Sequence, residues 1–222
     1  MCLIVLAWRV RPEFPLIVAA NRDEFHARPA AAAAFWRDRP GILAGRDLQA
    51  GGTWMGVSRS GRFAAVTNYR GGLDPAAAES RGALVTGFLS NQLAPGKYVS
   101  SLAPGRYSGF NLLVADDREL WWISNRDSEP RALAPGCYAL GNFLLDSPDV
   151  QEVKARFETS PAAPEPLFGL LAGARIVAPE YGTRCSTLVL AGADRRMQFA
   201  ERSFDAQGNE GPTARYEFST AP

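Results

Sequence analysis

Short apolar runs that follow one another in pairs constrain the fold of this 222-residue chain most strongly. The first pair is Leu3–Trp8 and Leu16–Ala20, and the connection between them, Arg9–Pro15, contains two prolines. Connections this short join antiparallel strands, whereas parallel strands need a crossover of a dozen or more residues. The sequence therefore predicts hairpins and antiparallel sheets.

Segments whose apolar residues recur at helical spacing separate these hairpins along the chain. Besides the first pair, the predicted strands are Thr53–Val57, Phe63–Asn68, Phe110–Ala115, Glu119–Ile123, Tyr138–Asn142, Thr187–Leu190, Met197–Glu201 and Tyr216–Ser219. The predicted helices are Ser80–Asn91, Gly96–Leu102, Asp149–Thr159 and Pro164–Ala174. An alanine run, Ala30–Ala34, is predicted to be irregular or a single helical turn. This order of strands and helices predicts a layered α+β architecture.

The composition limits the classes of partner and the cellular compartment that we expect for the protein. With 46% hydrophobic residues the chain can build a sizeable core, and residues 1–222 are predicted to form one domain. The balance of 24 basic against 23 acidic residues predicts neither nucleic acid nor anionic membrane as the main partner. The apolar N-terminal run is too short to span a bilayer, so no integral membrane association is expected. Three cysteines without a CxxC pair favour a reducing, cytoplasmic location.

A single histidine, His26, excludes metal sites built on two or three histidines of one chain. The sequence contains neither GxGxxG nor GxxxxGK[ST], the two common glycine-rich cradles for nucleotide phosphates. We therefore expect no metal and no cofactor. A catalytic cysteine or serine that depends on histidine would have to use His26 alone.

Cys2 offers chemistry that needs no histidine. Removal of Met1, which requires a small following residue, would leave a thiol beside its own α-amine. The amine has a pKa of about 7.7–8.0 and the thiol of about 8.5, so the two can exchange a proton near neutrality. Arg22 and the α-ammonium are expected to favour the thiolate. The alternative is that Cys2 is only a small apolar residue that begins a buried strand.

Four polar residues, Asn21–Glu24, abruptly follow the second apolar run. If the first two strands form a hairpin, this cluster lies at the same end of the sheet as Cys2. Asp23 is then expected to be a carboxylate at the rim of the sheet, within reach of water. The alternative is a solvated turn, which is the favoured interpretation for Glu24.

The tetrapeptide Asn21–Glu24 is the signature of the NRDE family, the Transport and Golgi Organisation 2 type, which this chain resembles. Further matching motifs extend the resemblance along the chain: Met1-Cys2, Ala50–Gly56, Thr67–Arg70, Gly109–Leu113, Leu140–Asn142 and Tyr181–Arg184. More widely, the chain is similar to N-terminal-nucleophile hydrolases of the choloylglycine hydrolase and penicillin V acylase type. That resemblance implies a four-layer αββα sandwich of two antiparallel sheets flanked by helices.

The resemblance also implies roles for individual residues. Cys2 is the nucleophile and Asp23 the partner of its α-amine, while Asn68 and Asn142 resemble the two asparagines of the oxyanion hole. The arginine expected before Asn21 is replaced by Ala20 here.

An arginine stands instead at Arg22, and residues two apart on a strand share a face. Asn21, Arg22 and Arg184 are therefore candidate substrate-binding or supporting residues.

Two functions follow from the resemblance. The first is hydrolysis of a linear amide C–N bond in a small molecule, with Cys2 as nucleophile. The alternative is a non-enzymatic carrier or trafficking factor on the same fold, for haem or another hydrophobic ligand. The residue set Cys2, Asp23, Asn68 and Asn142 favours the enzyme, and the shifted Arg22 favours the carrier. The sequence predicts a small-molecule partner and does not predict the oligomeric state.

Overall fold

A computed structural model of the chain describes residues 2–127 and 129–221. Contacts between Cα atoms divide it into two compact units. The first contains residues 2–29, 135–141 and 145–220, and the second contains residues 30–134, 142–144 and 221. The organisation of residues 1–222 as a single domain stays a prediction.

The first unit is built on a six-stranded antiparallel sheet. Its strands are β1 (Leu3–Trp8), β2 (Leu16–Phe25), β10 (Gly136–Leu140), β11 (Tyr181–Ala191), β12 (Arg196–Phe204) and β13 (Glu210–Ser219). They lie in the order β10-β1-β2-β11-β12-β13. Helices α3 (Gln151–Thr159) and α4 (Pro164–Ala172) cover one face of the sheet.

The core of this unit forms where alternate strand residues meet the two helices. Leu3 and Val5 of β1 point the same way because residues two apart share a face. They pack with Leu188 of β11, Phe157 of α3 and Leu171 of α4, each at most 3% exposed. Because every residue of β1 is buried, this strand is anchored on both faces. The segment that carries the candidate nucleophile therefore begins at a fixed position.

The second unit contains a seven-stranded antiparallel sheet in sequence order. Its strands are β3 (Ala30–Phe35), β4 (Ile42–Asp47), β5 (Met55–Ser58), β6 (Phe63–Asn68), β7 (Phe110–Ala115), β8 (Leu120–Ser124) and β9 (Arg131–Ala132). Helices α1 (Gly82–Ser90) and α2 (Pro95–Ser101) pack on one face, where Leu84 and Phe88 meet Leu112 and Val114.

Most predicted elements are present, and the two antiparallel sheets with helices confirm the α+β class. The prediction for the alanine run was wrong, because Ala30–Phe35 is strand β3. It pairs with β4, where Ala30 lies opposite Asp47 and Phe35 opposite Leu43. None of the helices in residues 2–127 and 129–221 is long and apolar enough to cross a membrane.

Candidate active site

The predicted hairpin brings Cys2 beside the polar tetrapeptide. Strands β1 and β2 are antiparallel, with Leu3 opposite Asn21, so Cys2 lies next to Arg22 and Asp23. The Cys2 Sγ donates a hydrogen bond to the backbone oxygen of Asp23 at 3.5 Å. Met1, whose removal the sequence predicts, lies outside the described residues. The structure thus brings together Cys2 and Asp23, the first two residues of the candidate site.

The environment of Cys2 favours the thiol over the thiolate. Burial raises the pKa of Cys2, and the charge of Asp23 raises it further. The hydrogen bond to the Asp23 backbone and the charge of Arg22 lower the pKa, but these effects are smaller. Arg22 acts in the expected direction, but burial outweighs it in the chain that still carries Met1. The effect of the α-ammonium of Cys2, which exists only after Met1 is removed, stays a prediction.

Asp23 is buried, and the expectation of a water-accessible rim carboxylate was wrong. Only 3% of Asp23 is exposed. Its Oδ1 accepts a short hydrogen bond, 2.6 Å, from the hydroxyl of Thr183 on β11. The same Thr183 oxygen accepts the backbone N–H of Ile176 at 2.9 Å, so the hydroxyl can donate only toward Asp23. This chain of hydrogen bonds fixes the orientation of the carboxylate.

Asn21 links β2 to its neighbours through both ends of its amide. The Nδ2 group donates to the backbone oxygen of Leu171 at the end of α4, at 3.0 Å. The Oδ1 atom accepts the hydroxyl of Ser186 on β11 at 2.6 Å. With 2% of its surface exposed, Asn21 is held by protein groups and anchors the strand that carries Asp23. These contacts are those of a supporting residue.

Arg22 lies on the face of β2 that Ala20 also occupies. Its side chain is 5% exposed, and Nη2 lies 3.6 Å from the carboxylate of Glu24. In the sheet Arg22 pairs with Cys185 of β11. Its positive charge lowers the pKa of both Cys2 and Cys185, although burial outweighs this effect at both thiols. The substitution of Ala20 for an arginine is thus accompanied by a cation two residues further along the strand.

Arg184 is the extra residue of a β-bulge, because the pairing of β11 with β2 skips from Thr183 to Cys185. Its Nη1 lies 3.0 Å from the backbone oxygen of Phe25, 3.1 Å from that of His26 and 3.4 Å from that of Arg28. The guanidinium therefore binds the chain that leaves β2. This contact supports the strand that contains the tetrapeptide.

Sequence reasoning missed two residues of this site, Tyr181 and Thr183. Both lie in the motif Tyr181–Arg184, which was matched without a role for either side chain. The Tyr181 hydroxyl donates to the backbone oxygen of Asp23 at 3.2 Å, and Thr183 binds the Asp23 carboxylate. The signal was available in part, since hydroxyl residues at alternate positions of a strand share a face.

Asn68 and Asn142 meet in the second unit. The Nδ2 group of Asn142 donates to the backbone oxygen of Asn68 at 2.7 Å. In return the backbone N–H of Arg70 donates to the backbone oxygen of Asn142, also at 2.7 Å. Buried Asn111 holds the next residue along, because its Nδ2 donates to the oxygen of Phe143 at 2.8 Å. One hydrogen bond thus joins the two asparagines directly, and a second ties Asn142 to Arg70 in the chain that follows Asn68.

The loop that follows Asn68 is shaped by two touching glycines. A Cβ atom built on Gly109 would lie 2.8 Å from the Cα of Gly72 and 3.0 Å from its oxygen. Gly109→Ala is therefore expected to lower the free energy of unfolding by about 1–3 kcal/mol, because backbone must move. Gly105→Ala is the matched control, since no atom lies within 4 Å of its Cβ position. Urea unfolding that gives the two variants equal stability contradicts this prediction.

Sequence comparisons extend over nearly the whole chain. The sequence profile described as Transport and Golgi organisation 2 matches residues 1–164. The chain is 33% identical to the human Transport and Golgi organization protein 2 homolog, in an alignment that covers 99% of both proteins. It belongs to the Transport and Golgi organisation 2 family. The Drosophila melanogaster protein of that name is 30% identical, over 71% of this chain and 64% of its own length.

Solved structures with a similar fold are hydrolases. A Caenorhabditis elegans ortholog of N-acylethanolamine-hydrolyzing acid amidase superposes with a TM-score of 0.61 at 12% identity, over 85% of this chain and 92% of its own. A mutant conjugated bile acid hydrolase from Clostridium perfringens has a TM-score of 0.54 at 7% identity, over 99% and 98%. At these identities the likeness shows the fold alone, and it agrees with the expected α+β architecture.

Proposed function

We propose that this member of the family is an N-terminal-nucleophile hydrolase that cleaves a linear amide C–N bond in a small molecule. One observation carries the proposal: the Cys2 thiol donates a hydrogen bond to the backbone oxygen of Asp23, and Thr183 orients the carboxylate of the same residue. The similar solved structures support it, because one is an ortholog of an acid amidase and the other is a mutant bile acid hydrolase. No histidine is needed, since the α-amine of Cys2 serves as the base.

The reaction proceeds through a thioester. After removal of Met1, the Cys2 thiol gives its proton to its own α-amine, and Sγ attacks the amide carbonyl carbon. The C–N bond then breaks, and the leaving nitrogen takes the proton from the α-ammonium. Water, deprotonated by the same amine, attacks the thioester carbon and releases the carboxylic acid, and the thiol regains its proton. Asp23 holds the α-ammonium and balances its charge.

Asn68 and Asn142 supply amide hydrogens to the oxygen that becomes negative when the carbonyl is attacked. A side-chain amide has two N–H donors, so Asn142 keeps a second hydrogen after it binds the Asn68 backbone. Each such donor is worth roughly 2.7–4 kcal/mol of transition-state stabilisation. Asn21, Arg22 and Arg184 act as supporting residues around β2.

The second proposal is a carrier of a small hydrophobic ligand that keeps the fold without the reaction, working in the cytoplasm. Two observations favour it. Burial raises the pKa of Cys2, which reduces the thiolate available for attack at neutral pH. The relatives are named for transport and Golgi organization. Hydrolysis of an amide by this chain would decide against the pure carrier.

The mature N-terminus tests the hydrolase proposal directly. We expect Met1 to be removed in the native host, because Cys2 is small and the mechanism needs its free α-amine. Intact-mass spectrometry should show the chain one methionine lighter than the encoded sequence. Quantitative retention of Met1 would rule out the mechanism, because an acylated amine cannot accept the thiol proton. The assay for activity is release of 7-amino-4-methylcoumarin from a panel of its N-acyl amides.

A further inference from the structure

Two donors share one acceptor beside the candidate nucleophile. The backbone oxygen of Asp23 accepts the Cys2 thiol at 3.5 Å and the Tyr181 hydroxyl at 3.2 Å. The phenol and the thiol are thus neighbours on the same oxygen atom. A carbonyl oxygen has two lone pairs and satisfies both donors while the thiol keeps its proton.

The ring of Tyr181 is held in place by its own strand and by β2. Tyr181 is the first residue of β11 and lies opposite Phe25, the last residue of β2. The two rings meet edge to face, with centroids 5.3 Å apart and planes inclined by 76°. This geometry is the favourable one for aromatic pairs. The phenolic oxygen is therefore held in one position, and only the hydroxyl hydrogen can rotate about the C–O bond.

When Cys2 ionises, its sulfur can no longer donate a hydrogen bond to the backbone oxygen of Asp23. Once the thiol proton has left, Sγ carries negative charge and faces the lone pairs of the Asp23 backbone oxygen. The charged groups that act on Cys2 include the Asp23 carboxylate, the amino terminus and Arg22, and those that act on Tyr181 include Glu24. Burial and the charges of Cys2 and Asp23 raise the pKa of Tyr181, so the phenol stays a proton donor. It is a neutral hydrogen-bond donor next to the nascent thiolate.

We propose that Tyr181 is a further catalytic residue, whose hydroxyl turns from the Asp23 backbone oxygen to the Cys2 sulfur and stabilises the thiolate. The proposal rests on the proposed function, because it concerns the same nucleophile. No proton is transferred by Tyr181: its O–H bond stays intact while the thiol proton moves to the α-amine. When Sγ becomes a neutral thioester, the hydroxyl returns to the Asp23 oxygen.

The test is the reaction of Cys2 with iodoacetamide between pH 6 and 10, followed by peptide mapping. Tyr181→Phe keeps the ring that packs on Phe25 and removes only the hydroxyl. We expect the labelling rate of Cys2 at pH 7 to fall about three- to tenfold and its pH midpoint to rise, with an unchanged melting temperature. Tyr138→Phe is the matched control, because Tyr138 lies beside Cys137 on β10. In this variant Cys2 should be labelled at the parent rate.

Further measurements separate the hydroxyl from packing and from turnover. Phe25→Leu removes the edge-to-face contact but keeps the hydroxyl and the pairing of β11 with β2, so the labelling rate of Cys2 should fall much less than in Tyr181→Phe. If Tyr181→Phe does not fold, uniform 3-fluorotyrosine, whose phenol is a stronger donor, should speed the labelling of Cys2 in the parent. Parent-like labelling of folded Tyr181→Phe, an equal loss in Phe25→Leu, or no effect of fluorotyrosine overturns the proposal. Labelling needs no amide substrate. Failure of the proposed hydrolase function is therefore detected separately, as absence of coumarin release from the N-acyl amides.

Discussion

Replacement of Cys2 by alanine is expected to reduce coumarin release from N-acyl amides by about 10³-fold or more, since the nucleophile of a covalent mechanism has no substitute. Alanine is also small, so removal of Met1 is expected in the variant as in the parent. The two proteins then share the same free α-amine and differ only in the thiol. Cys2 precedes β1 and is half-buried, so the free energy of unfolding should change by about 1 kcal/mol or less.

Cys137→Ala is the matched control for this loss. Cys137 lies on β10 and is half-buried like Cys2, and it takes no part in the proposed reaction. Its loss should leave the rate of coumarin release at the parent value, measured as initial rates at saturating and limiting substrate. Equal activity of Cys2→Ala and the parent would refute the nucleophile. A comparable loss in Cys137→Ala would mean that general destabilisation explains both.

The hairpin of β1 and β2 was predictable because its signal is local. Two apolar runs separated by seven residues with two prolines leave little choice of connection, and the pairing of Leu3 with Asn21 follows. From that pairing came the proximity of Cys2 and Asp23, which needs only antiparallel geometry. This proximity was derived from the residues and is present in the structure, while the roles of Cys2 and Asp23 stay predictions.

The true end of β2 was not predictable from the same signal. Four polar residues indicate a strand end, yet β2 continues to Phe25 and Asn21, Arg22 and Asp23 are buried. Burial of polar groups is tolerated where hydrogen bonds replace water. For Asn21 and Asp23 the partners include Ser186 and Thr183, which lie 165 and 160 residues further along the chain. No local pattern in the sequence contains that information.

The prediction for the alanine run failed for a different reason, because pairing in the sheet outweighed the helix preference of alanine. Alanine favours helices, but Ala30–Phe35 lies beside β4 and takes the extended form that pairing requires. Strand β4, Ile42–Asp47, was not predicted, so the partner that decides the conformation was missing. Strand propensity depends on neighbours in the sheet more than on the residue itself.

Asn68 and Asn142 were chosen through the family resemblance, and their contact is one that the residues alone did not indicate. They are 74 positions apart, and Asn142 lies beyond the end of β10 in irregular chain. The hydrogen bonds from Asn142 to Asn68 and from Arg70 to Asn142 show that the two asparagines belong to one local structure. Their role toward an oxyanion stays a prediction.

Loss of the Asp23 charge is expected to change the alkylation of Cys2 and the hydrolysis of amides in different ways. Asp23→Asn keeps the shape of the side chain and its oxygen for Thr183 but removes the charge. Because that charge raises the pKa of Cys2, its loss should lower the thiol pKa and shift the pH profile of iodoacetamide labelling to lower pH. Labelling at pH 7 should therefore become faster.

Hydrolysis should change in the opposite direction. Without a carboxylate to hold and balance the α-ammonium, the base that takes the thiol proton is misplaced, and coumarin release should fall about 10²–10⁴-fold. Because the acceptor of the Thr183 hydroxyl loses its charge at a site that is 3% exposed, the free energy of unfolding should be lower by about 1–3 kcal/mol. Glu24→Gln, the adjacent and more exposed carboxylate, is the control and should keep parent hydrolysis.

Because alkylation and hydrolysis are expected to change in opposite directions, Asp23→Asn distinguishes an electrostatic role of Asp23 from a structural one. A purely structural Asp23 would slow or spare both reactions together, because looser packing does not separate alkylation from hydrolysis. Faster labelling with slower hydrolysis, in a variant that still melts cooperatively, requires a charge that acts on the thiol and on its base separately. Parent-like hydrolysis by Asp23→Asn would remove Asp23 from the mechanism and favour the carrier.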